Sequence, residues 1–275
     1  MTDTVDPQFE TLRVQRDGGC GWIVFNRPRV MNAFNRRQWT ELNEALAHFE
    51  QDEGVRCVVL RGSGGNFSSG YDLPAALDEL EGAGAEGTRD HIRPGNEACW
   101  RVWRYRKPTI AAVEGYCLGG AFELAMACDF VIAEEGARLG EPEGRVAASP
   151  PFLITPWVMG LRHAKEVLLM GGLLSAAHAE RMGLISSLCA RGGIEAAVAE
   201  RVRQLAGFSP GVWYANKLAV NRSYEIMGLS TAIAMGEDAF VELALLPDSF
   251  KAELAERVKR DGFASAVKWA QGRHA

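Results

Sequence analysis

The sequence predicts an α/β fold whose second half turns helical. Three observations carry this. Short runs of strand formers alternate with helical patterns between residues 20 and 135; glycine-rich turns sit where a run gives way to a helix; and after about residue 160 strand patterns thin out. Strand–helix–strand alternation marks an α/β layer architecture, because each helix must bury its apolar stripe on a sheet.

Taken in order, "CGWIVFN" (20–26) is rich in strand formers and is followed by the turn-like "RPRV". From Asn35 to Gln51 the pattern is helical, with Trp39, Leu42, Leu46 and Phe49 on one face and Glu41, Glu44 and Glu50 off it. "VRCVVLRG" (55–62) reads as a buried strand, and "SGGNFSSGYDL" after it as a Gly- and Ser-rich loop. Residues 74–95 have weak periodicity and read as a mobile surface segment, with a helix over 96–106 ending before Lys107-Pro108. "TIAAVEG" (109–115) and "DFVIAEE" (129–135) are strands, with the glycine turn and helix of "LGGAFELAMACD" between them. Beyond residue 160, "LRHAKEVLLMGG", "SAAHAERMGL", "IEAAVAERVRQLAG", "STAIAMGEDAFVELALL" and the last 25 residues read as helices. Ser175 and Ser230 are placed to cap two of them, and Gly183 to stop one. The expected division is a core over 1–195 and a helical region over 196–275, which either holds subunits together or only covers the core.

At 275 residues the chain suits one large domain or two small ones. Lys and Arg number 30 against 35 Asp and Glu, a net charge of -5, which argues against a nucleic-acid partner. None of the six cysteines forms a C-x-x-C pair, and most lie in apolar runs, as reduced core thiols of a cytoplasmic protein do. The five histidines include no H-E-x-x-H, so no metal site is expected. No apolar run reaches the roughly 18 residues of a membrane span. The start, "MTDTVDPQFE", lacks the order of a signal peptide, and "GRHA" at the end is no peroxisomal address.

Two places carry potential chemistry. The Gly119-Gly120 turn follows a strand and opens a helix, whose first N–H groups lack intrahelical partners and favour negative charge. "NFSSGYD" (66–72) is a second such turn and a source of another amide; both also read as ordinary β-to-α turns. Neither matches a nucleotide-binding glycine motif. Glu123 lies in the first turn of an apolar helix, either as a simple helix-terminus acid or as a working carboxylate. Glu141 and Glu143 flank Pro142 in "LGEPEGRV", and two carboxylates brought together divide into acid and base roles. There is no G-x-S-x-G nucleophile elbow.

With these pieces in hand, the chain resembles the crotonase superfamily, the enoyl-CoA hydratase/isomerase family. The matching segments run in family order over roughly residues 9–190: "FNRPRVMNAF", "VRCVVLRGSGGNFSSGYDL", "RKPTIAAVEGYCLGGAFELAMACDFVIA", "RLGEPE" and "AERMGLI". The resemblance implies a ClpP/crotonase-like spiral of ββα units with a helical C-terminal region, assembled as a homotrimer or homohexamer. It implies an acyl-CoA thioester as substrate, coenzyme A being part of that substrate, and no metal or redox cofactor. Residue by residue, it makes Glu123 and Glu143 the catalytic pair and the backbone N–H groups of Ser69 and Gly120 an oxyanion hole. Substrate or CoA contacts fall on Arg29, Ser68, Tyr71, Asp72, Gly119 and Pro150. Trp100, Trp103, Phe122 and Phe152 line an acyl pocket or only pack the core.

Both glutamates together favour hydration of a trans-2-enoyl-CoA to the 3-hydroxyacyl-CoA. The alternatives are double-bond isomerisation and C–C or thioester cleavage on the same enolate platform, and a non-catalytic binding member. Two departures stand out. "GRVAASPPFLITPWVMG" replaces the family's glycine-rich continuation, so that Pro151, without an N–H, takes a glycine's place and the wall becomes more apolar. Ala266 and Trp269 stand where relatives place CoA-binding residues, so no CoA contact is carried onto them.

Overall fold

The strand-forming runs assemble into one six-stranded sheet. In the computed structural model, which describes residues 6–272, β1 (Leu12–Asp17) pairs antiparallel with β2 (Cys20–Phe25). Beyond β2 the strands run parallel in the order β3 (Cys57–Gly62), β4 (Thr109–Val113), β6 (Phe130–Glu134) and β9 (Ser187–Cys189). A second, small sheet holds β5 (Tyr116–Leu118), β7 (Arg138–Gly140) and β8 (Leu174–Ser175) in that order. Isolated bridges extend this small layer, Ser68 beside Cys117 and Phe34 beside Tyr71. The readings of the first five and last three residues lie outside the described residues.

The chain thus repeats one route: a strand in the large sheet, a short extended piece in the small layer, then a helix. β2, Phe34 and α1 (Arg36–Gln51) make one turn of the spiral. β3, Ser68 to Tyr71, α2 (Leu73–Leu80) and α3 (Ala85–Trp103) make the next, and β4, β5 and α4 (Gly120–Ala127) the third. The fourth, β6 and β7, leads into a short 3-10 turn, Glu143–Val146. This is the expected spiral of ββα units. Asn35 caps α1 by accepting from the Gln38 N–H at 2.9 Å, and Trp39, Leu42, Leu46 and Phe49 form its buried face. All eight residues of α4 are buried. A helix apolar on every side belongs at the centre of the molecule, and this one carries Glu123 there.

The sequence reading of 74–95 as a mobile segment is corrected: these residues form α2 and most of α3. The buried stripe of α3 includes Thr88, His91, Gly95 and Asn96, residue types that hide a helical period from a hydropathy pattern. β1 also escaped the sequence reading, being a half-exposed edge strand rich in Arg, Gln and Asp. Ser175 caps its helix as expected, accepting from the His178 N–H, whereas Ser230 does not: the helix there already begins at Leu229, after Gly228.

Past the fourth unit come α5 (Thr155–Val158), α6 (Leu161–Met170), α7 (Ala176–Arg181), α8 (Ile194–Ala206), α9 (Pro210–Ile226), α10 (Leu229–Leu245), α11 (Ser249–Asp261) and α12 (Phe263–Gly272). α8 opens at Ile194 and lays Ile194 and Val198 on the large sheet. Lys217 of α9 reaches Asp129 at 2.7 Å, and Asn221 donates to the Trp103 carbonyl at 2.6 Å, tying the helical region to the core.

Candidate active site

The register of the small layer builds the site. Ser68 lies opposite Cys117 in a parallel bridge. Counting on from that pair sets Ser69 against Leu118, Gly70 against Gly119 and Tyr71 against Gly120. Gly70 (φ 90°) and Gly119 (φ 56°) both adopt the left-handed region, so in each unit the chain turns at a glycine just before its helix. β5 in turn pairs Leu118 with Gly140, which brings Glu141 and Glu143 to the same place. Turns from three successive units therefore converge.

They converge closely enough to exclude side chains. A Cβ on Gly119 would lie 2.1 Å from the Glu143 Oε1, one on Gly120 would lie 2.5 Å from the Tyr71 ring, and one on Gly70 would lie 2.6 Å from the Leu118 carbonyl oxygen.

The amides divide in a way the sequence reading did not foresee. The Ser69 N–H donates to the Met31 carbonyl at 3.0 Å, so it has no donor to offer a ligand, and its assignment to an oxyanion hole is corrected. Around Tyr71, the Phe34 N–H donates to the Gly70 carbonyl and the Asp72 N–H to the Phe34 carbonyl, while the Tyr71 N–H meets no acceptor among the described residues. Gly120 is the first residue of α4 and has no intrahelical acceptor. Tyr71 and Gly120 thus each leave an amide unspent.

Three carboxyls gather beside them. Glu123 is buried, and its Oε1 accepts the Phe152 N–H at 2.7 Å. Pro151 has no N–H, but the next residue supplies the donor, so the contact expected to be lost at this wall is kept. Glu141 is buried as well and accepts the Thr155 hydroxyl at 2.9 Å. No Lys, Arg or His forms an ion pair with any of the three among the described residues. Burial raises Glu143 to about 7. It raises Glu123 and Glu141 well above the carboxylate range, with repulsion from Glu143 adding to both. The Phe152 N–H opposes the rise at Glu123, because a donor to the carboxylate favours its charge.

A cavity of about 1140 Å³ opens in front of Glu143. Met31, Ser69, Tyr71, Gly119 and Pro151 line part of it, and Leu77, Leu80, Phe240, Leu243, Leu254 and Val258 line much of the rest. This wall is largely apolar, and α2, α10 and α11 supply it.

The other expected contacts separate into those at the cavity and those behind it. Tyr71 and Gly119 line it. Arg29 is exposed on the 3-10 turn Pro28–Val30, two residues from Met31. Ser68 is corrected: it is fully buried, and its Oγ accepts the Gly70 N–H at 3.1 Å, bracing the turn. Asp72 is corrected too: its carboxylate pairs with Arg27 at 2.9 Å and caps α2. Pro150 is buried away from the cavity, which Pro151 lines instead. Phe122, Phe152 and Trp103 serve the core, and Trp100 stacks edge-on against Phe152 at 5.2 Å. The sequence reading missed the Tyr71 and Phe152 amides. Laying "SSGYDL" against "CLGGAF" by their glycines would have found the first.

Among the described residues, no group of three or more His, Cys, Asp or Glu is arranged to hold a metal ion, and no helix is long and apolar enough to cross a membrane.

In sequence and in fold the chain is similar to one family of proteins. The sequence profile of the family described as "Enoyl-CoA hydratase/isomerase" matches residues 15–255. A probable enoyl-CoA hydratase of Rhizobium meliloti is 37% identical over 226 residues, covering 79% of this chain and 84% of that one. The short-chain-enoyl-CoA hydratase of Clostridium acetobutylicum is 30% identical over 262 residues, covering 93% and 98%. Among solved structures, an enoyl-CoA hydratase/isomerase from Xanthobacter autotrophicus superposes with a TM-score of 0.93 at 34% identity, covering 97% of this chain and 99% of that one. The chain belongs to the enoyl-CoA hydratase/isomerase family of the crotonase superfamily.

Proposed function

We propose that the protein is an enoyl-CoA hydratase, adding water across the 2,3 double bond of a trans-2-enoyl-CoA to give the 3-hydroxyacyl-CoA. The observation that carries this is the meeting of Glu123 and Glu143 at two unspent amides. Two adjacent buried carboxyls do not both ionise readily, so the pair holds one proton. The Phe152 N–H on Glu123 favours the charge there when Glu143 holds that proton. Glu123 then takes a proton from a bound water, whose oxygen bonds to C3. Glu143 gives its proton to C2. The pair still holds one proton at the end, now on Glu123, and its return resets the site. Negative charge develops on the thioester oxygen, which the Tyr71 and Gly120 amides receive; one such donor is worth roughly 2.7–4 kcal/mol. No covalent intermediate and no resident cofactor enter this route.

The apolar cavity suits the acyl chain, and Arg29, exposed two residues before the cavity-lining Met31, is the cation for a CoA phosphate. We extend the reading to a cytoplasmic enzyme built on trimers, single or paired. The exposed Ile226 and Met227 that end α9, and Leu245 and Leu246 at the end of α10, give such contacts an apolar surface. Light scattering at micromolar concentration should return three or six chains.

The test of the reaction is a panel of acyl-CoA thioesters in heavy-oxygen water, with products read by mass. Hydration adds one labelled water to an enoyl-CoA. A shifted double bond without added mass, or a freed CoA thiol, would assign the chain to isomerisation or hydrolysis instead.

A further inference from the structure

Glu141 is the one carboxyl at the site to which the reaction gives no part. It is 1% exposed, and its surroundings are particular. Thr155, itself fully buried, donates its hydroxyl to one oxygen, Oε1, at 2.9 Å. The other oxygen, Oε2, is buried with no partner, and so is the Oε2 of Glu143. Only Pro142 separates the two residues in the chain, and their carboxyls are within hydrogen-bonding reach, a contact that raises the proton affinity of Glu141 and lowers that of Glu143. The titratable groups facing Glu141 are Glu143, Glu123 on α4, Cys99 on α3 and Cys117 on β5. Burial keeps both thiols protonated, and among the described residues no Lys, Arg or His forms an ion pair with Glu141.

A buried acceptor pair with no donor between them is costly, and one proton removes the cost. Glu143 opens on the cavity, whereas Glu141 lies behind it, so the proton that stays belongs to Glu141.

We propose that Glu141 is a positioning residue that remains a neutral carboxylic acid and donates its O–H to the Glu143 carboxylate, holding that carboxyl over Gly119. Its part in turnover comes when Glu143 has given its proton to C2. The C2–H bond forms, the Glu143 O–H bond breaks, and the new carboxylate accepts the standing Glu141 O–H. Glu141 gains and loses nothing. It makes Glu143 a stronger acid than burial alone would leave it.

The inference rests on the hydratase reading for its kinetic test but not for its spectroscopic one. In infrared difference spectra of the full-length protein, a neutral-carboxyl band should persist from about pH 6 to about pH 9, a range over which an ordinary glutamate is ionised, and Glu141→Gln should delete it. That result does not depend on any activity. In hydration assays, Glu141→Gln keeps a donor to Glu143, so the alkaline limb of the kcat profile should move by less than about 0.5 pH unit. Glu141→Leu removes the donor, and should raise that limb by at least about one unit and lower kcat roughly tenfold or more with KM little changed. Thr155→Val should shift the limb in the same direction and less.

The opposite outcomes are distinct. If Glu141 is ionised, no persistent band vanishes, and Glu141→Gln lowers the Glu143 limb by removing a neighbouring charge. If it only packs, Glu141→Leu leaves the limb in place. Either result overturns the proposal. A wild type that hydrates no enoyl-CoA yet shows the band would sink the hydratase reading and leave this one standing.

Discussion

The turns at Gly70-Tyr71 and Gly119-Gly120 are the same device built twice, and they do different work. Each ends a short piece of the small layer, bends at a left-handed glycine and leaves the following amide unspent. Around Gly70 the nearest obstacle is backbone, the Leu118 carbonyl; around Gly119 it is the Glu143 carboxylate, and Glu123 follows on the helix. One turn is scaffold with a donor. The other is scaffold, donor and the seat of the acids. A repeat can therefore place two equivalent amides accurately while only one copy carries reactive groups.

The largest effects should come from the acids. Glu123→Gln and Glu143→Gln should each lower kcat by roughly 10²–10⁴-fold, the range for acid–base groups, with the melting temperature held or raised. Full activity in Glu123→Gln would break the division of labour between the turns. Next come the glycines. Gly70→Ala and Gly119→Ala both strain the backbone and displace a donor, so each should cost about 10²–10³ in kcat for the folded fraction. Combining them with Glu143→Gln separates the two turns. Gly119→Ala already displaces Glu143, so the second change should add little, whereas its cost should multiply in full with Gly70→Ala. Equal coupling in both cycles would show that the two turns do not differ.

A smaller effect concerns stability. Glu143 titrates at about 7 in the folded protein against 4.5 as an ordinary carboxyl. The raised value means that the folded state holds this proton more tightly than the unfolded chain. The stability it contributes is complete below 4.5 and is lost as pH rises to about 7. Unfolding free energy should decline across that window, by up to about 1.4 kcal/mol per pH unit for one group, and Glu143→Gln should flatten the decline. Urea titrations at a series of pH values would measure it; an unchanged slope in the variant would place the titration elsewhere.

Much of this was legible in the residues. Four strands of the large sheet, β2, β3, β4 and β6, are short apolar runs, and their boundaries were read closely because strand formers dominate them; the polar β1 and the three-residue β9 were not read. The acids were legible because a glutamate in an apolar helix is conspicuous. What the sequence concealed was register. Ser69 and Tyr71 lie two apart, and nothing in the residue types says which amide the Met31 carbonyl takes; that follows from the pairing of Ser68 with Cys117. α3 was concealed for a different reason. Its buried stripe includes Thr88, Gly95 and Asn96, and Gly95 sits against Trp39 and Tyr71, a fit decided by tertiary contact and not by hydropathy.

The smallest expected effect lies at the wall facing these turns. The sequence alone makes Pro151 a lost donor beside the catalytic acids, and restoring glycine there would then repair or redirect the enzyme. The geometry argues otherwise. The Glu123 carboxylate already holds the Phe152 N–H at 2.7 Å, and Phe152 is anchored in the core against Trp100. A second amide, one residue earlier, has no vacant role at Glu123. Pro151→Gly should therefore leave kcat for the best substrate within about threefold, well short of the 10² or more that loss of a working acid–base group or oxyanion donor brings. It should lower stability by about 0.4–1 kcal/mol, because glycine gives the unfolded chain more freedom. Phe152→Pro makes the contrast, since it removes the amide that is in use; it should lower kcat strongly and shift the pH at which Glu123 ionises upward. If Pro151→Gly instead raises hydration by tenfold or more while Phe152→Pro is tolerated, the amide of Phe152 is not what holds Glu123, and the wall, not the two turns, sets the chemistry.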